Sequence, residues 1–397
     1  MTARRPIRLL TFTTLYPNAE QPQHGVFVEN RLRHLTATGA VESRVIAPVP
    51  WFPLADPRFG AYAAYARVPR QEQRHAIAID HPRYALPPKI GMVPAPVLLY
   101  LGARRAVERL RRDGYDFDVI DAHYFYPDGV AAALLAREFR KPLVITARGT
   151  DVNLIPRHAI PRRLIQWAAS RASAMITVCT ALKTALCDLG IAAERITVLR
   201  NGVDLATFQP IDPAAARANL GEARQGILLA SVGHLVERKG HHLAIGALPR
   251  LPEARLLIAG TGPEQRRLQD LATGLGVADR VRFLGHVPHD ALAALYSAAD
   301  ALVLASSREG WANVLLEAMA CGTPVVASNL WGTPEVVAAP EAGILMAELS
   351  IAGVVSAVES LLRAPPDRQA TRRYAERFSW DETTAGQMAI FDRLCQG

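Results

Sequence analysis

Two glutamates eight positions apart, Glu309 and Glu317, are the residues of this 397-residue chain whose type and spacing point most clearly to chemistry. They flank the start of an apolar run that predicts a short helix over residues 313–320, with Asn313 as its N-cap. A carboxylate accepts hydrogen bonds from two neighbouring hydroxyls, and a helix N-terminus offers unpaired N–H groups and a positive dipole end. The segment therefore favours a ligand that carries both a polyol and a phosphate, as a nucleotide-sugar does.

The alternative is an amphipathic helix whose two acids are simply solvated. Other parts of the second half argue against it, because they would complete a diphosphate site. Residues 231–240 follow a predicted strand and open a helix; Gly233 there allows close backbone approach, and Arg238 and Lys239 offer cations. A second glycine turn over residues 260–262 follows another predicted strand. Either turn alone is common, but the two beside an acidic helix indicate a phosphate site.

The first half has two polar turns of its own, each after a predicted strand. Residues 23–27 contain His24 and Gly25, and this loop would meet the phosphates from the other domain. It lacks the G-x-G-x-x-G pattern, which argues against a dinucleotide-dependent dehydrogenase. Residues 146–151 would face a cleft between domains, unless they form an ordinary polar turn.

The elements that must position these residues alternate between strands and helices, which is typical of a doubly wound parallel sheet. Because the pattern restarts after residue 200, we predict an α/β protein of two Rossmann-like domains that face a cleft. The predicted domains are residues 1–200, residues 201–375, and a C-terminal helix over residues 376–397 that crosses back towards the first domain. In the second half we expect strands at 226–232, 254–259, 281–284, 301–304 and 324–327, and helices at 239–248, 264–275, 288–298 and 313–320. Residues 51–94, rich in Pro, Tyr and Arg, are expected to form long connecting loops.

Composition narrows the class of protein. Half of the residues are hydrophobic, so the chain can bury sizeable cores and is not largely disordered. No stretch approaches 18 uncharged apolar residues, so we expect no membrane span. The N-terminus runs into a predicted strand without a cleavage region, and the four cysteines show no metal-ligand spacing. We therefore expect no signal peptide, buried and reduced cysteines, and a cytoplasmic protein.

The net charge of +8 is unevenly distributed along the chain. Residues 1–200 contain 28 basic and 16 acidic residues, whereas residues 201–397 contain 17 and 21. The arginines of the first half are dispersed without aromatic interleaving, which disfavours nucleic acid as the partner. An apolar stretch with five arginines at its end, residues 93–112, predicts either a helix on an anionic membrane surface or a core helix with an exposed basic flank.

Seven motifs occur along the chain in a set order. They are the Gly25 loop, Arg148-Gly-Thr-Asp151, Asn201-Gly-Val-Asp204, Gly233 with Lys239-Gly240, Gly260-Thr-Gly-Pro263, Phe283-Leu-Gly285, and Glu309 with Glu317. In this order they resemble the retaining GT-B glycosyltransferases of family 4, and the resemblance covers nearly the whole chain. The sequences of residues 308–313 and 331–335 most resemble those of bacterial enzymes of exopolysaccharide or teichuronic-acid synthesis.

The resemblance implies a nucleotide-diphosphate sugar donor, held mainly by the second domain, and no metal or other cofactor. In the family, the residue at Glu317 binds the ribose, the residue at Glu309 holds donor-sugar hydroxyls, and the residue at Lys239 neutralises the leaving diphosphate. Retaining chemistry there is usually thought to run front-side, so that preorganised positive charge is the main catalytic term. The residues implied in donor binding are Gly25, Gly233, His234, Arg238, Gly262, His286, Val287, Gly310, Trp311, Ala312, Asn313, Val314 and Glu317. We expect His24, His123 and Asp151 to contact the acceptor.

Two positions depart from the family pattern. The family commonly has His where this chain has Arg148, and Arg where this chain has His234. We hypothesise that the permanent charge has moved from one wall of the cleft to the other, so that Arg148 joins Lys239 and Glu309 as a catalytic residue and helps to hold the diphosphate or donor sugar.

Three functions follow as alternatives: a glycosyltransferase, a GT-B nucleotide-sugar epimerase, and an inactive nucleotide-sugar-binding protein. A UDP-sugar is the favoured donor and GDP-mannose the second. A glycan or lipid-linked oligosaccharide is the expected acceptor, with peripheral contact to an anionic membrane, and nucleic acid is not an expected partner. The residues themselves identify neither the sugar nor the acceptor.

Overall fold

The computed structural model describes residues 5–86, 91–222 and 225–396, which fold into two compact units. The first unit contains the chain up to Arg200 together with the residues from Asp381, and the second contains Asn201–Trp380. Residues 1–4, which form part of the argument against a signal peptide, lie outside the described residues. Within the described part of the chain, no helix has the length and apolar composition needed to cross a membrane.

The first unit is built on a wide, mostly parallel sheet. Its strands are β1 (Ile7–Phe12), β2 (Val41–Ile46), β3 (Val49–Pro50), β4 (Gln71–Arg74), β5 (Ile77–Asp80), β6 (Arg83–Tyr84), β7 (Val119–His123), β8 (Leu143–Ala147), β9 (Ala174–Thr177) and β10 (Ile196–Val198). Its helices are α1 (Val26–Ala37), α2 (Ala61–Arg67), α3 (Ala95–Arg112), α4 (Val130–Phe139), α5 (Thr150–Asn153), α6 (Ala159–Arg171) and α7 (Thr180–Asp188). Among the described residues the main sheet has eight strands in the order β10-β9-β8-β7-β1-β2-β5-β4, and β3 pairs separately with β6.

The prediction of long loops over residues 51–94 is wrong, because this segment contains α2 and three of the strands. In β5 the side chains of Ile77 and Ile79 are buried, and this strand pairs parallel with β2 and antiparallel with β4. The β4–β5 hairpin turns at His75 and Ala76, both at positive φ. A His-Ala turn carries none of the glycine or asparagine signal by which such hairpins are recognised in a sequence.

The second unit has a parallel sheet with helices between its strands. Its strands are β11 (Ile227–Val232), β12 (Ala254–Ala259), β13 (Val281–Gly285), β14 (Ala301–Leu304), β15 (Val325–Ser328) and β16 (Gly343–Met346). Its helices are α8 (Pro213–Leu220), α9 (His241–Ala247), α10 (Gln265–Gly274), α11 (Leu292–Ala298), α12 (Asn313–Ala320), α13 (Thr333–Val336), α14 (Ile351–Arg363) and α15 (Arg368–Ala375). The strand order among its described residues is β13-β12-β11-β14-β15-β16, with every pairing parallel.

The predicted second-half strands are present, with ends shifted by at most one residue, but two helices start later than predicted. The helix predicted from residue 239 starts at His241, because Glu237–Lys239 forms a 3-10 turn. The helix predicted from residue 288 starts at Leu292, because residues 289–291 form a turn. Both differences place charged side chains in a turn at the end of a strand rather than on a helix face.

The last helix, α16 (Trp380–Gln396), begins at the end of the second unit, and its residues from Asp381 belong to the first. Ile390 and Phe391 join the apolar core of the first unit. The buried Arg31 donates from Nε to Oε1 of Gln387 at 2.9 Å. The expectation of buried cysteines is wrong for Cys395, which is exposed in the last turn of this helix, and Cys187 is only partly buried.

Candidate functional site

The functional residues predicted in the second half lie where the strands of the second unit end. Gly233 follows β11, Gly260 follows β12, His286 follows β13, and the Glu309 loop follows β14. Since adjacent parallel strands end at one edge of a sheet, these loops meet there. The N–H of Gly233 donates to the carbonyl of Ala259 at 3.0 Å, and the N–H of Gly260 donates to that of Gly285 at 2.7 Å.

The two glycine turns approach each other so closely that one of them has no room for a side chain. Gly260 has a φ of +142°, and a Cβ at this position would lie 1.9 Å from the carbonyl oxygen of Gly233. The second glycine of the same turn, Gly262, packs against the backbone of Leu235. The glycines predicted as parts of a phosphate site therefore shape this edge of the sheet.

Lys239 and Glu309 form an ion pair at this edge. Nζ of Lys239 is 2.6 Å from Oε1 of Glu309, and Nη1 of Arg238 is 3.9 Å from the same oxygen. Burial acts to raise the pKa of Glu309, but the charge and hydrogen bond of Lys239, with a smaller contribution from Arg238, bring it below its ordinary value. The carboxylate is therefore ionised, and the ammonium group is held against it.

The prediction of Asn313 as the N-cap of α12 is wrong. Asn313 is the first helical residue, the cap position is Ala312, and no side chain caps the helix. The amide of Asn313 is engaged elsewhere, because its Oδ1 accepts a hydrogen bond from Nδ2 of Asn201 at 3.3 Å. Within the described residues, the N–H groups of Gly310, Ala312, Asn313 and Val314 meet no hydrogen-bond acceptor. They are available to a ligand with negative charge or lone pairs.

The side chain of Trp311 belongs to the core of the second unit. It is buried, its indole N–H donates to the carbonyl of Asn201 at 3.1 Å, and its ring packs against Phe378 with centroids 6.0 Å apart. Its predicted contact with a donor would therefore involve the backbone rather than the ring.

Glu317 is held by two donors that the sequence did not reveal. Its Oε2 accepts from the hydroxyl of the buried Tyr296 on α11 at 2.8 Å, and its Oε1 lies 3.2 Å from Nε2 of His289. The ring of His289 packs edge-on against Phe208, with centroids 4.9 Å apart. His289 lies in the turn before α11 and Tyr296 lies on α11, so no helical spacing links the two residues in the sequence.

Two further predicted residues present exposed side chains at the strand ends of this unit. His234 is exposed after β11 and His286 is exposed after β13, with Val287 partly buried beside it. Neither histidine is engaged by an ion pair with another described residue.

In the first unit, Arg148 and His123 form a buried polar chain with Asp121. Nη2 of Arg148 is 2.7 Å from Nδ1 of His123, and Nε2 of His123 is 3.3 Å from Oδ2 of Asp121. Burial lowers the pKa of His123 to about 4, although Asp121 acts to raise it. The neutral ring thus accepts from Arg148 and donates to Asp121. The guanidinium of Arg148 also lies over the ring of Phe27, 5.3 Å from its centroid.

The three residues of the first unit that are expected to contact the acceptor substrate differ in solvent exposure. Asp151 is fully buried and accepts from the backbone N–H groups of Phe125, Arg148 and Gly149 at 2.7 to 3.3 Å. His123 is buried as well, so neither presents its functional group at the surface. The exposed His24 lies 3.0 Å from the carbonyl of Thr14, and the next residue in the chain is the cap of α1.

The described residues contain no group of three or more His, Cys, Asp or Glu side chains arranged to hold a metal ion. The positive charges closest to Glu309 are instead the side chains of Lys239 and Arg238.

Two family models match the chain in succession. The model described as Glycosyltransferase Family 4 matches residues 25–207, and the model described as Glycosyl transferases group 1 matches residues 213–378. A glycogen synthase from Mycobacterium tuberculosis is 35% identical over an alignment of 310 residues, and the match covers 72% of either chain. A D-inositol 3-phosphate glycosyltransferase from Frankia alni is 37% identical over an alignment of 305 residues, and the match covers 70% of this chain and 74% of that one.

The chain belongs to glycosyltransferase family 4. Solved structures agree with this on fold. Sucrose-phosphate synthase from Thermosynechococcus elongatus superposes with a TM-score of 0.81 at 20% identity, over 98% of this chain and 99% of that one. HepE from Anabaena, solved in complex with UDP, superposes with a TM-score of 0.73 at 22% identity, over 98% of this chain and 100% of that one. This glycosyltransferase therefore has the GT-B fold.

Proposed function

We propose that this family 4 enzyme is a retaining, metal-independent hexosyltransferase that uses a nucleotide-diphosphate sugar, with a UDP-sugar favoured and GDP-mannose second. The observation that carries the proposal is the arrangement of Lys239, Glu309 and Glu317 at one edge of the second sheet. The ammonium group of Lys239 and the carboxylates of Glu309 and Glu317 lie there, together with the open N–H groups at the start of α12. These are complementary to the diphosphate, the sugar and the ribose of such a donor.

The carboxylate of Glu317 is suited to bind the hydroxyls of a ribose. Glu317 accepts one hydrogen bond at each oxygen, from Tyr296 and His289. A carboxylate has about four lone-pair sites, so each oxygen can still accept one hydroxyl of a vicinal diol.

The first carboxylate matches the transferred sugar. Glu309 is ionised and fixed by Lys239, so it can accept hydrogen bonds from donor-sugar hydroxyls, while the open N–H groups at the start of α12 donate to the sugar or the phosphates. The same ammonium group of Lys239 would compensate the negative charge that develops on the departing diphosphate. Arg238 adds to this positive charge, and we keep Arg148 of the first unit as a further proposed contact to the diphosphate or donor sugar.

The proposed transfer is a front-side substitution. The bond between the anomeric carbon and the donor phosphate oxygen breaks as the acceptor oxygen bonds to the same face of that carbon. The acceptor hydroxyl gives its proton to the departing β-phosphate oxygen, so the diphosphate leaves with the proton and no protein base is required. The role of Lys239 is electrostatic, and in a site from which water is excluded that role is strengthened.

The choice of donor rests on analogy of fold. HepE from Anabaena has been solved with UDP, with UDP and glucose, and with UDP-glucose. On that analogy we extend the UDP preference to this chain as a proposal. We also propose a place in cell-surface polysaccharide synthesis, on the resemblance of residues 308–313 and 331–335.

The test is a product assay with UDP-glucose, UDP-N-acetylglucosamine and GDP-mannose, followed by proton NMR with EDTA present. A transferase releases the nucleoside diphosphate and gives an α-linked product, or the free α-sugar when water is the acceptor. A GT-B epimerase would instead yield a new nucleotide-sugar and no free diphosphate. A β-linked product would refute the retaining mechanism, and loss of activity in EDTA would refute metal independence.

We also propose that the first unit meets an anionic membrane at the inner face of the plasma membrane, where a lipid-linked acceptor would be presented. Nine of the fifteen large apolar side chains that are exposed among the described residues lie between residues 51 and 101. Val97 and Leu101 occupy one face of α3, and Arg105 and Arg112 continue that face towards its end without an ion pair to another described residue. Apolar contact followed by positive charge suits the boundary between acyl chains and anionic headgroups.

Trp51 lies close to this helix. Its backbone N–H donates to the carbonyl of Tyr84, and Tyr84 packs against Gly102 of α3. Trp51 is exposed, and aromatic side chains of this kind are favoured at membrane interfaces.

Vesicle co-sedimentation tests this contact. The double change Val97→Ser and Leu101→Ser should weaken binding to vesicles that contain 30% anionic lipid by about fivefold or more, since each lost methylene contact weakens insertion. Leu275→Ser, at an exposed apolar position of the second unit, is the matched control and should have no effect. Failure of the wild type to bind such vesicles at low salt would refute the proposal.

A further inference from the structure

We propose that His289 is a positioning residue for donor binding: its ring holds the carboxylate of Glu317 in the orientation that a nucleotide ribose requires, and nucleotide affinity therefore depends on the charge of this histidine. The inference rests on the proposed function, in which Glu317 binds the ribose.

The geometry places Glu317 between two donors on different elements. The hydroxyl of Tyr296 on α11 binds Oε2 at 2.8 Å, and Nε2 of His289, in the turn before α11, lies 3.2 Å from Oε1. A carboxylate that is bonded at both oxygens cannot rotate about its last torsion without losing one bond. Its remaining lone pairs are thus aimed before a ligand arrives, which lowers the cost of binding.

The two donors differ in how they respond to pH. Burial and the nearby carboxylate raise the pKa of Tyr296 well above its ordinary value, so its hydroxyl always carries a proton. His289 is partly exposed, and its second ring nitrogen can gain or lose a proton within the physiological range. Only the cationic ring makes a charge-assisted bond to Glu317, whereas in one tautomer of the neutral ring Nε2 carries a lone pair instead of a proton and cannot donate.

Several charged groups set the protonation of this ring. Burial acts to lower the pKa of His289, but the hydrogen bond and charge of Glu317, with Asp204 and Asp290, raise it above its ordinary value. Phe208 packs edge-on against the ring and limits its rotation. A raised pKa means that the cationic form, with its bond to Glu317, persists to a higher pH than in an ordinary histidine and is lost as the pH rises past that raised pKa.

Most of the packing of α11 does not involve the ring of His289. Residues 289–291 form a turn, and α11 is covered by its own buried side chains, among them Leu292, Leu295 and Tyr296. Changing His289 should therefore alter binding far more than folding, and the two effects can be measured separately.

The experiment is isothermal titration calorimetry of UDP, GDP and ADP with the full chain between pH 6.5 and 9. His289→Phe keeps the contact with Phe208 and removes the donor, and it should weaken the best nucleotide about tenfold at pH 6.5 and by a smaller factor at pH 9. His289→Gln keeps a neutral donor, so its affinity for the nucleotide at pH 9 should stay within about threefold of the wild-type value. Across the pH range, this affinity should change only as much as the titration of the nucleotide's own phosphate requires. That titration is common to all variants and cancels in their ratios.

Two controls separate this role from a structural one. Tyr296→Phe should weaken binding by the same factor at every pH, because its hydroxyl does not titrate in this range. His158→Gln, at an exposed histidine of the first unit, should match the wild type throughout.

The outcomes distinguish the inference from the function on which it rests. If Glu317→Ala loses nucleotide binding while both His289 variants keep wild-type affinity and pH dependence, the inference is wrong and the proposed ribose contact stands. If Glu317→Ala binds all three nucleotides as the wild type does, or if the wild type binds none, both are wrong.

Discussion

At the scale of single residues, Lys239 and Glu309 depend on each other. Their charged atoms are 2.6 Å apart, and both side chains are largely buried. Breaking a buried ion pair by removing one partner leaves an uncompensated charge, whereas removing both charges costs much less. This mutual dependence is a property of the folded protein and can be measured without a substrate.

We predict that Lys239→Met lowers the free energy of unfolding by about 2–4 kcal/mol, because it leaves the buried, ionised Glu309 with only the more distant Arg238, 3.9 Å away, as a cation partner among the described residues. Adding Glu309→Gln should restore more than half of that loss. Both variants should lose transfer activity by about 100-fold or more, because the charge at the diphosphate is gone. Urea unfolding of the two variants and of Glu309→Gln alone gives the coupling free energy between Lys239 and Glu309. If the losses of unfolding free energy in the single variants simply add in the double variant, the two residues do not form a tight pair.

Asp128 in the first unit is a second residue with a testable charge state. It is fully buried, its Oδ2 accepts from the N–H and the hydroxyl of Thr14, and burial raises its pKa to about 8. An acid whose pKa is higher in the folded than in the unfolded protein stabilises the fold below about pH 4, and that stabilisation is lost as the pH rises towards 8.

We therefore predict that Asp128→Asn, which keeps the acceptor for Thr14 and cannot ionise, becomes more stable than the wild type as the pH rises from 6 to 9. The exposed Asp113→Asn is the matched control and should follow the wild type. Thermal midpoints across this range give the comparison. A constant difference between Asp128→Asn and the wild type at all pH values would show that the acid keeps an ordinary pKa.

At the scale of elements, the turn from β11 to α9 sets the position of Lys239. Gly240 ends the 3-10 turn with a φ of +71°, and it lies against the end of β14, where the loop to Glu309 begins. A Cβ at Gly240 would lie 1.9 Å from the carbonyl oxygen of Ala305. The close approach of the two backbones brings the cation within reach of the carboxylate.

We predict that Gly240→Ala lowers the unfolding free energy by more than about 2 kcal/mol, because the added methyl group displaces β14 from α9 in addition to the strain at positive φ. Gly276→Ala is the matched control, because Gly276 has a φ of +65° and open space around it, so only about 1 kcal/mol is expected. Differential scanning calorimetry distinguishes the two. Equal losses would mean that the contact between the turn and β14 is unimportant.

Strands β11 to β15 and the helices between them could be predicted from the sequence because their signals are local. An apolar run bounded by glycine marks β11 and β12, and α12 was predicted with both of its ends. The hydrogen bond of the Asn313 side chain to Asn201 could not be predicted, because its partner lies 112 positions earlier in the chain. The local pattern therefore indicated Asn313 as a capping residue, although its side chain is bonded to Asn201 instead.

The candidate site likewise has features that could be predicted from the sequence and features that could not. The acids, the lysine and the glycines are ordered along the sequence as motifs, so their identity could be predicted. The partners of Glu317 could not, since they come from α11 and the turn before it and carry no motif. Nor could the burial of Asp151 and His123, which depends on contacts between separate elements of the first unit, such as the hydrogen bond from Phe125 to Asp151.

At the scale of the whole molecule, the two units carry different chemistry. The second contains the Lys239–Glu309 pair and the two donors to Glu317. The first contains the exposed apolar side chains between residues 51 and 101 and most of the excess positive charge. The proposed division of labour, with the nucleotide mainly on the second unit and the acceptor on the first, predicts that the second unit supplies most of the nucleotide affinity, to which Arg148 of the first unit would add.

The measurement that tests this account most directly is the thermal shift caused by UDP, GDP and ADP without metal, on the wild type and on Glu317→Ala. A nucleotide at 100 times its dissociation constant should stabilise the wild type by about 2.7 kcal/mol, which is a shift of several degrees. We predict that one nucleotide gives this shift, that Glu317→Ala abolishes it, and that Glu359→Ala, an exposed acid of the same unit, leaves it unchanged. An equal shift in Glu317→Ala and the wild type would contradict the ribose contact on which the account depends.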